Sequence, residues 1–101
     1  MFFASAKQYA QMIQQTGVNA KVLIIRMRHV PFIDATALHN FYETIKLLKE
    51  NGTIVLTSGT NDLVFKELKK HNIVSLIGEE NMHRTFKRAV EDINNKIIEN
   101  I

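Results

Sequence analysis

The sequence of 101 residues contains no cysteine, only one proline and four glycines. The absence of cysteine excludes a disulfide framework, a thiol nucleophile and a cysteine-based metal site, and it fits a reducing compartment. No apolar run approaches the roughly 20 residues that a membrane-spanning helix needs. No linker, low-complexity segment or internal repeat divides the chain, so its length and 46% hydrophobic content predict one globular domain.

The patterns of common catalytic and metal sites are absent as well. The four histidines never stand three or four positions apart, there is no His-Glu-x-x-His motif, and a zinc site needs three or four converging ligands. There is no Gly-x-Ser-x-Gly elbow, Walker loop or Gly-x-Gly-x-x-Gly motif, so Ser58 and Gly59 are interpreted as a turn pair. We therefore predict no catalytic residue, no bound metal and no enzyme activity.

Charge is distributed rather than concentrated along the sequence, with a net value of +3. The basic groups, each with acids nearby, are Arg26 with Arg28, Lys46 with Lys49, Lys66 with Lys69 and Lys70, and Arg84 with Lys87 and Arg88. A nucleic-acid-binding domain more often has one basic face with aromatic partners. The scatter predicts solvated helix faces and no nucleic-acid partner, while a weak attraction to an anionic membrane surface stays open.

Short β-like runs alternate with helical stripes, which indicates an α/β domain with a largely parallel sheet. Residues 22–25 and 53–57 are the clearest strands, because continuous β-branched runs are typical of strands buried on both faces. Residues 1–4 look like the end of another strand, and residues 73–77 are interpreted as a last edge strand. Helical stripes follow at residues 6–13, 38–48, 64–68 and 86–97.

Two loops follow the carboxyl ends of the clear strands, and ligands of open α/β sheets bind at that edge. The first loop runs from Met27 to Asp34 and enters a helix at Ala35, and we call the residues Asp34, Ala35, Thr36, Ala37 and Leu38 the 34–38 turn. The second is the tight turn of Ser58, Gly59, Thr60 and Asn61, which can cap the helix after it. Asp34 is placed to cap a helix, and Thr36 lies near the positive end of its dipole. A phosphate on Thr36 would find backbone donors there and repulsion from Asp34. An ordinary helix start explains the same residues, so both interpretations remain open.

Residues 30–38, with the sequence VPFIDATAL, closely resemble the signature of STAS domains, a family named for sulfate transporters and anti-sigma factor antagonists. The resemblance continues through residues 2–6 (FFASA), 51–56 (NGTIVL) and 77–81 (IGEEN). It implies the STAS (anti-sigma factor antagonist-like) fold, a small and mostly parallel sheet of about four strands with about four helices. The family's first strand is missing, so residues 1–101 are expected to be a single STAS domain from a longer membrane transporter.

Two branches of the family differ at the 34–38 turn. Anti-sigma factor antagonists usually read Asp-Ser-Ser-Gly-Leu, and a partner kinase phosphorylates the second hydroxyl residue, which corresponds to Thr36. In this sequence Ala35 and Ala37 replace the first serine and the glycine, which is more like the sulfate permease branch.

The resemblance therefore implies a non-catalytic regulatory domain of a sulfate-permease-family anion transporter, at the cytoplasmic face of the inner (plasma) membrane. The 34–38 turn and the following helix would contact the membrane domain, a second protomer or a cytosolic regulator. The alternative is a free-standing anti-sigma factor antagonist switched by phosphorylation at Thr36. No cofactor is expected, although the 34–38 turn together with Ser58, Gly59 and Thr60 offers backbone donors that leave nucleotide binding open as a hypothesis.

Overall fold

The computed structural model describes residues 21–99, so the strand and helix predicted before them lie outside the described residues. The elements are β1 (Val22–Arg26), α1 (Ala35–Glu50), β2 (Ile54–Ser58), α2 (Asp62–Lys70), α3 (Ile73–Ile77), a 3₁₀ helix (Glu79–Asn81), β3 (Met82–His83) and α4 (Phe86–Glu99). None of the helices in this part of the chain is both long and apolar enough to cross a bilayer. The alternation of strands and helices confirms the predicted α/β class.

All three described strands are parallel, in the order β1-β2-β3. Val22 of β1 lies beside Ile54 of β2, and Ser58 at the end of β2 lies beside both Arg26 and His83. Because the strands run in the same direction, the loops that follow them meet at one edge of the sheet. We call this edge, formed by the residues just after each strand, the carboxyl edge.

Helices cover both faces of the sheet, and each face has its own core. The larger core joins the buried stripe of α1 to the sheet and to α2 and α3; its members include Ile25, Leu38, Phe41, Ile45, Leu48, Val55, Val64, Leu68, Ile73 and Ile77. On the other face, Leu56 packs with Ala89 and Ile93 of α4. β2 is therefore buried on both faces, which is the physical reason for its continuous apolar sequence.

The prediction of an edge strand at Ile73–Ile77 is wrong, because this segment is the single-turn helix α3. Ile73, Val74 and Ile77 are buried while Ser75 is exposed, so the run has one apolar side with helical spacing rather than two alternating faces. Asn72 precedes the helix in a left-handed conformation with φ of 66°. The edge position belongs to β3, whose two residues are too short to show a strand pattern.

Candidate functional site

The 34–38 turn begins α1 with a side-chain cap. Asp34 has extended backbone angles, and its Oδ1 accepts a hydrogen bond of 2.8 Å from the backbone N–H of Ala37. The N–H of Leu38 donates to the backbone oxygen of Asp34 at 2.9 Å. The first bond satisfies a donor that a helix start otherwise leaves free, and the second is the first backbone bond of the helix, so the N-cap predicted at Asp34 is confirmed.

The turn has a buried end, which packs into the core, and an exposed start. Leu38 is buried in the larger core, and Ala37 is half-buried against it. Asp34, Ala35 and Thr36 are exposed. No acidic side chain lies in the first turn of α1. The Thr36 hydroxyl is thus accessible at the positive end of a 16-residue helix.

The loop between β1 and α1 is held against the loop between β2 and α2. The N–H of Met27 donates to the backbone oxygen of Ser58 at 2.8 Å, and the hydroxyl of Thr60 contacts the Met27 sulfur at 3.5 Å. Asn61 donates from Nδ2 to the backbone oxygen of Val30 at 3.0 Å. The structure therefore brings the two loops predicted from the sequence together into one surface.

Asn61 ends the second loop, and the cap predicted for the helix that follows this loop is confirmed at this residue. Its Oδ1 caps α2 by accepting from the N–H of Val64 at 2.8 Å, while its Nδ2 reaches Val30 in the other loop. An asparagine before a helix start is a signal for a cap. The second bond depends on the pairing of β1 with β2, which no local pattern contains.

Gly59 lies where both loops meet β3. Its N–H donates to the backbone oxygen of His83 at 2.9 Å, and its φ is +74°. A Cβ atom at this position would stand 3.2 Å from the Cα of Arg28, closer than an ordinary contact. Fewer backbone N–H groups are free to bind a nucleotide phosphate than the sequence suggested, because those of Gly59 and Ala37 already donate hydrogen bonds within the domain. Nucleotide binding at these loops stays a prediction.

A groove of about 300 Å³ adjoins the 34–38 turn, lined by Ala35, Leu38, His39, Tyr42, His71 and Asn72. Four of these residues belong to α1, where His39 and Tyr42 are polar, and the polar residues His71 and Asn72 follow the end of α2. Two of the four histidines meet here, yet no group of three metal-ligating side chains occurs among residues 21–99. The groove is concave and lies beside the exposed part of the turn.

A charged cluster ties β3 to α4. Asp92 lies 2.8 Å from His83 Nε2, and both of its carboxylate oxygens accept from Lys96, at 2.7 and 2.8 Å. The hydrogen bond from Lys96 lowers the pKa of Asp92, as does the one with His83, while partial burial acts in the opposite direction. Because one carboxylate holds both a residue of β3 and a residue of its own helix, this cluster fixes α4 against the last strand.

Comparison with known proteins gives the family of this fold. The family model of the STAS domain matches residues 1–92. The STAS domain of a SulP transporter from Vibrio cholerae is 33% identical, with a TM-score of 0.87 over 96% of this chain and 76% of that chain. A sulfate transporter family protein from Wolinella succinogenes is 29% identical, with a TM-score of 0.82 over 94% of this chain and 78% of that chain. Comparison with curated proteins gives no match. With its family-model match, its parallel sheet and the turn at Asp34, the chain belongs to the STAS domain family.

Proposed function

We propose that this chain is a non-catalytic regulatory domain of a sulfate-permease-family anion transporter, at the cytoplasmic face of the membrane. It modulates transport through protein contacts made by the 34–38 turn and helix α1. The observation that carries the proposal is the exposed surface of Asp34, Ala35 and Thr36 on a fixed base. The similar proteins from Vibrio cholerae and Wolinella succinogenes, described as belonging to transporters, support the choice of partner.

The rigidity of the turn supports a role in protein contact. Leu38 anchors it in the core, Asp34 caps it, and the bond from Asn61 to Val30 holds the preceding loop. A partner that binds a surface already held in place does not have to offset the entropy of ordering it. The groove beside the turn adds concave apolar area for a partner side chain.

Charge reversal at Asp34 tests this proposal in the transporter that carries the domain. We expect Asp34→Lys to reduce uptake of radiolabelled sulfate, because it replaces an exposed carboxylate at the proposed contact with a cation. Glu79→Lys is the matched control, since Glu79 is exposed and belongs to the 3₁₀ helix before β3, outside the 34–38 turn and α1. Uptake should fall in the first variant and stay at the parent level in the second, at equal expression.

Stability measurements separate contact from folding. Asp34→Lys removes the cap and should lower the free energy of unfolding by about 1 kcal/mol, whereas Asp34→Asn keeps a capping oxygen and should change it by no more than about 0.3 kcal/mol. Urea unfolding of the parent and the two variants gives these values. Normal uptake by a stably expressed Asp34→Lys transporter would remove the turn from the proposed mechanism.

A second candidate function follows from the accessible hydroxyl of Thr36 in the first turn of α1. In this alternative the domain is a free-standing anti-sigma factor antagonist, and phosphorylation of Thr36 switches its partner binding. A phosphate there adds negative charge at the positive end of a helix but faces the Asp34 carboxylate. Incubation with ATP and kinases of the source organism, followed by intact-mass measurement, should add one phosphate to the parent protein and none to Thr36→Ala. An unchanged parent mass contradicts the alternative.

A further inference from the structure

The fold gathers at the carboxyl edge five cations that the sequence places in two distant groups. Arg26 is the last residue of β1, and Arg28 lies two positions after it. Arg84 follows β3, and Lys87 and Arg88 lie in the first turn of α4. We call these five residues the basic cluster. All five side chains are exposed, so their charges face solvent at one end of the domain.

Two contacts connect the two halves of the basic cluster. The guanidinium of Arg26 lies 4.5 Å from the centre of the Phe86 ring, at the start of α4. Gly59, which packs against the backbone of Arg28, hydrogen-bonds to His83, the residue before Arg84. The basic residues are therefore scattered along the sequence, as described above, but these five lie at one edge of the folded domain.

These cations have no acidic partners in the part of the chain that the structure describes. The ion pairs within residues 21–99 involve His71, His83 and Lys96, and none involves a member of the basic cluster. The sequence has 13 lysines and arginines against 10 acidic residues, and removing these five leaves eight against ten. The net positive charge of the chain thus lies in this cluster, while the exposed carboxylates of Asp34 and Asp62 stand at the same edge without pairing with its members.

Apolar side chains are exposed along the same edge. Four large hydrophobic residues are exposed in the described structure, and three of them lie there: Phe32 at 66%, Leu63 at 58% and Phe86 at 41%. Phe32 belongs to the loop after β1, and Leu63 lies two positions after Asn61, which bonds that loop. Exposed apolar groups beside unpaired cations are typical of surfaces that bind a partner.

We propose that the carboxyl edge is a membrane-binding surface, in which the basic cluster contacts anionic phospholipid headgroups while Phe32 and Leu63 enter the boundary between headgroups and acyl chains. Cations near an anionic leaflet are attracted electrostatically, and neighbouring apolar side chains add hydrophobic stabilisation when they are buried in the membrane interface. The inference rests on the proposed function only in that it assumes a domain held beside a membrane.

The chemistry of this edge favours lipid over nucleic acid. Arg26 already covers the ring of Phe86, which reduces the area on which a base can stack. The exposed side chain of Leu63 has no ring for stacking but can be buried among lipid chains. Phe32 lies on the loop after β1 and Leu63 in the first turn of α2, so both residues belong to segments that follow the carboxyl ends of strands.

Vesicle co-sedimentation of the 101-residue chain tests the proposal with matched variants. We expect the parent to bind vesicles of phosphatidylcholine with phosphatidylglycerol and not pure phosphatidylcholine, with loss of binding as salt rises from about 0.1 M to about 1 M. Arg84→Glu/Arg88→Glu should weaken binding at least about tenfold, since each cation near the surface contributes about fivefold. Lys46→Glu/Lys66→Glu makes the same change of net charge on exposed helix positions elsewhere and should bind like the parent.

Phe32→Ser/Leu63→Ser tests the apolar part and should weaken binding to anionic vesicles with the salt dependence unchanged. Circular dichroism confirms that each variant is folded. Equal weakening by the two charge variants, equal binding to neutral vesicles, or no vesicle binding by the folded parent overturns the proposal. Tighter binding to a mixed-sequence DNA duplex than to anionic vesicles, measured by anisotropy, also overturns it. These results do not involve transport, so they stand or fall separately from the Asp34 experiment.

Discussion

Replacement of Phe41 by alanine should lower the free energy of unfolding by about 3–5 kcal/mol. Phe41 is fully buried in α1 and is the largest of the fully buried side chains among the described residues. Its ring belongs to the core that joins α1 to the sheet, so truncation removes apolar burial and leaves a cavity that the neighbours fill only in part. Small domains have a total stability of about 5–15 kcal/mol, and the loss is therefore a large share of it. Urea unfolding followed by circular dichroism measures the change.

The same substitution at Phe32 is the control. Phe32 is 66% exposed, so Phe32→Ala removes the same atoms without making a cavity and should change stability by no more than about 0.5 kcal/mol. A similar loss of unfolding free energy in both variants would contradict the burial of the Phe41 side chain between α1 and the sheet. The pair thus measures the packing that holds the 34–38 turn, because Leu38 and Phe41 lie on the same buried stripe.

Much of the central fold could be predicted because its physical causes are local. β1 and β2 are continuous apolar runs since helices cover the faces of the sheet, and α1 shows a buried stripe because one side faces the core. Asp34 is recognisable as a cap from its position before that stripe. In each case a few neighbouring residues carry the whole signal.

Two elements escape prediction because short segments carry little periodicity. Ile73–Ile77 is a helix with one buried side, but five apolar residues fit a strand equally well without their surroundings. β3 has two residues and exists because Met82 and His83 meet the end of β2. The pairing follows from the path of the chain after α3, which a local pattern does not contain.

The residues of the candidate site could be predicted from the sequence, but the contacts between its loops could not. The 34–38 turn is identifiable from the helix start and from the family resemblance. The bond from Asn61 to Val30 and the stacking of Arg26 on Phe86 join residues 31 and 60 positions apart in the sequence. Such contacts depend on strand order and register, so they become visible only when the sheet is assembled.

Gly59 shows how one of these connections can be measured. Gly59→Ala places a side chain at φ of +74°, where left-handed geometry costs roughly 1–2 kcal/mol, and it also forces the new Cβ against the backbone of Arg28 at 3.2 Å. Gly52→Ala is the matched control, because Gly52 has φ of +82° and a Cβ added there would have nothing within 4 Å. We expect a loss of about 1–2 kcal/mol at Gly52 and about 2–4 kcal/mol at Gly59 in urea unfolding.

The difference between the two glycine variants isolates the contact between the loops, since the backbone strain is common to both. Relief of the crowding at Gly59 has to move the backbone of Arg28, and the loop after Arg28 leads directly to Asp34. Amide signals from Arg28 to Asp34 should therefore shift in Gly59→Ala and stay in place in Gly52→Ala. Equal stability losses with unshifted loop signals would mean that the loop after β1 is positioned without the support of Gly59. The expected pattern would instead make this glycine a determinant of where the 34–38 turn sits at the carboxyl edge.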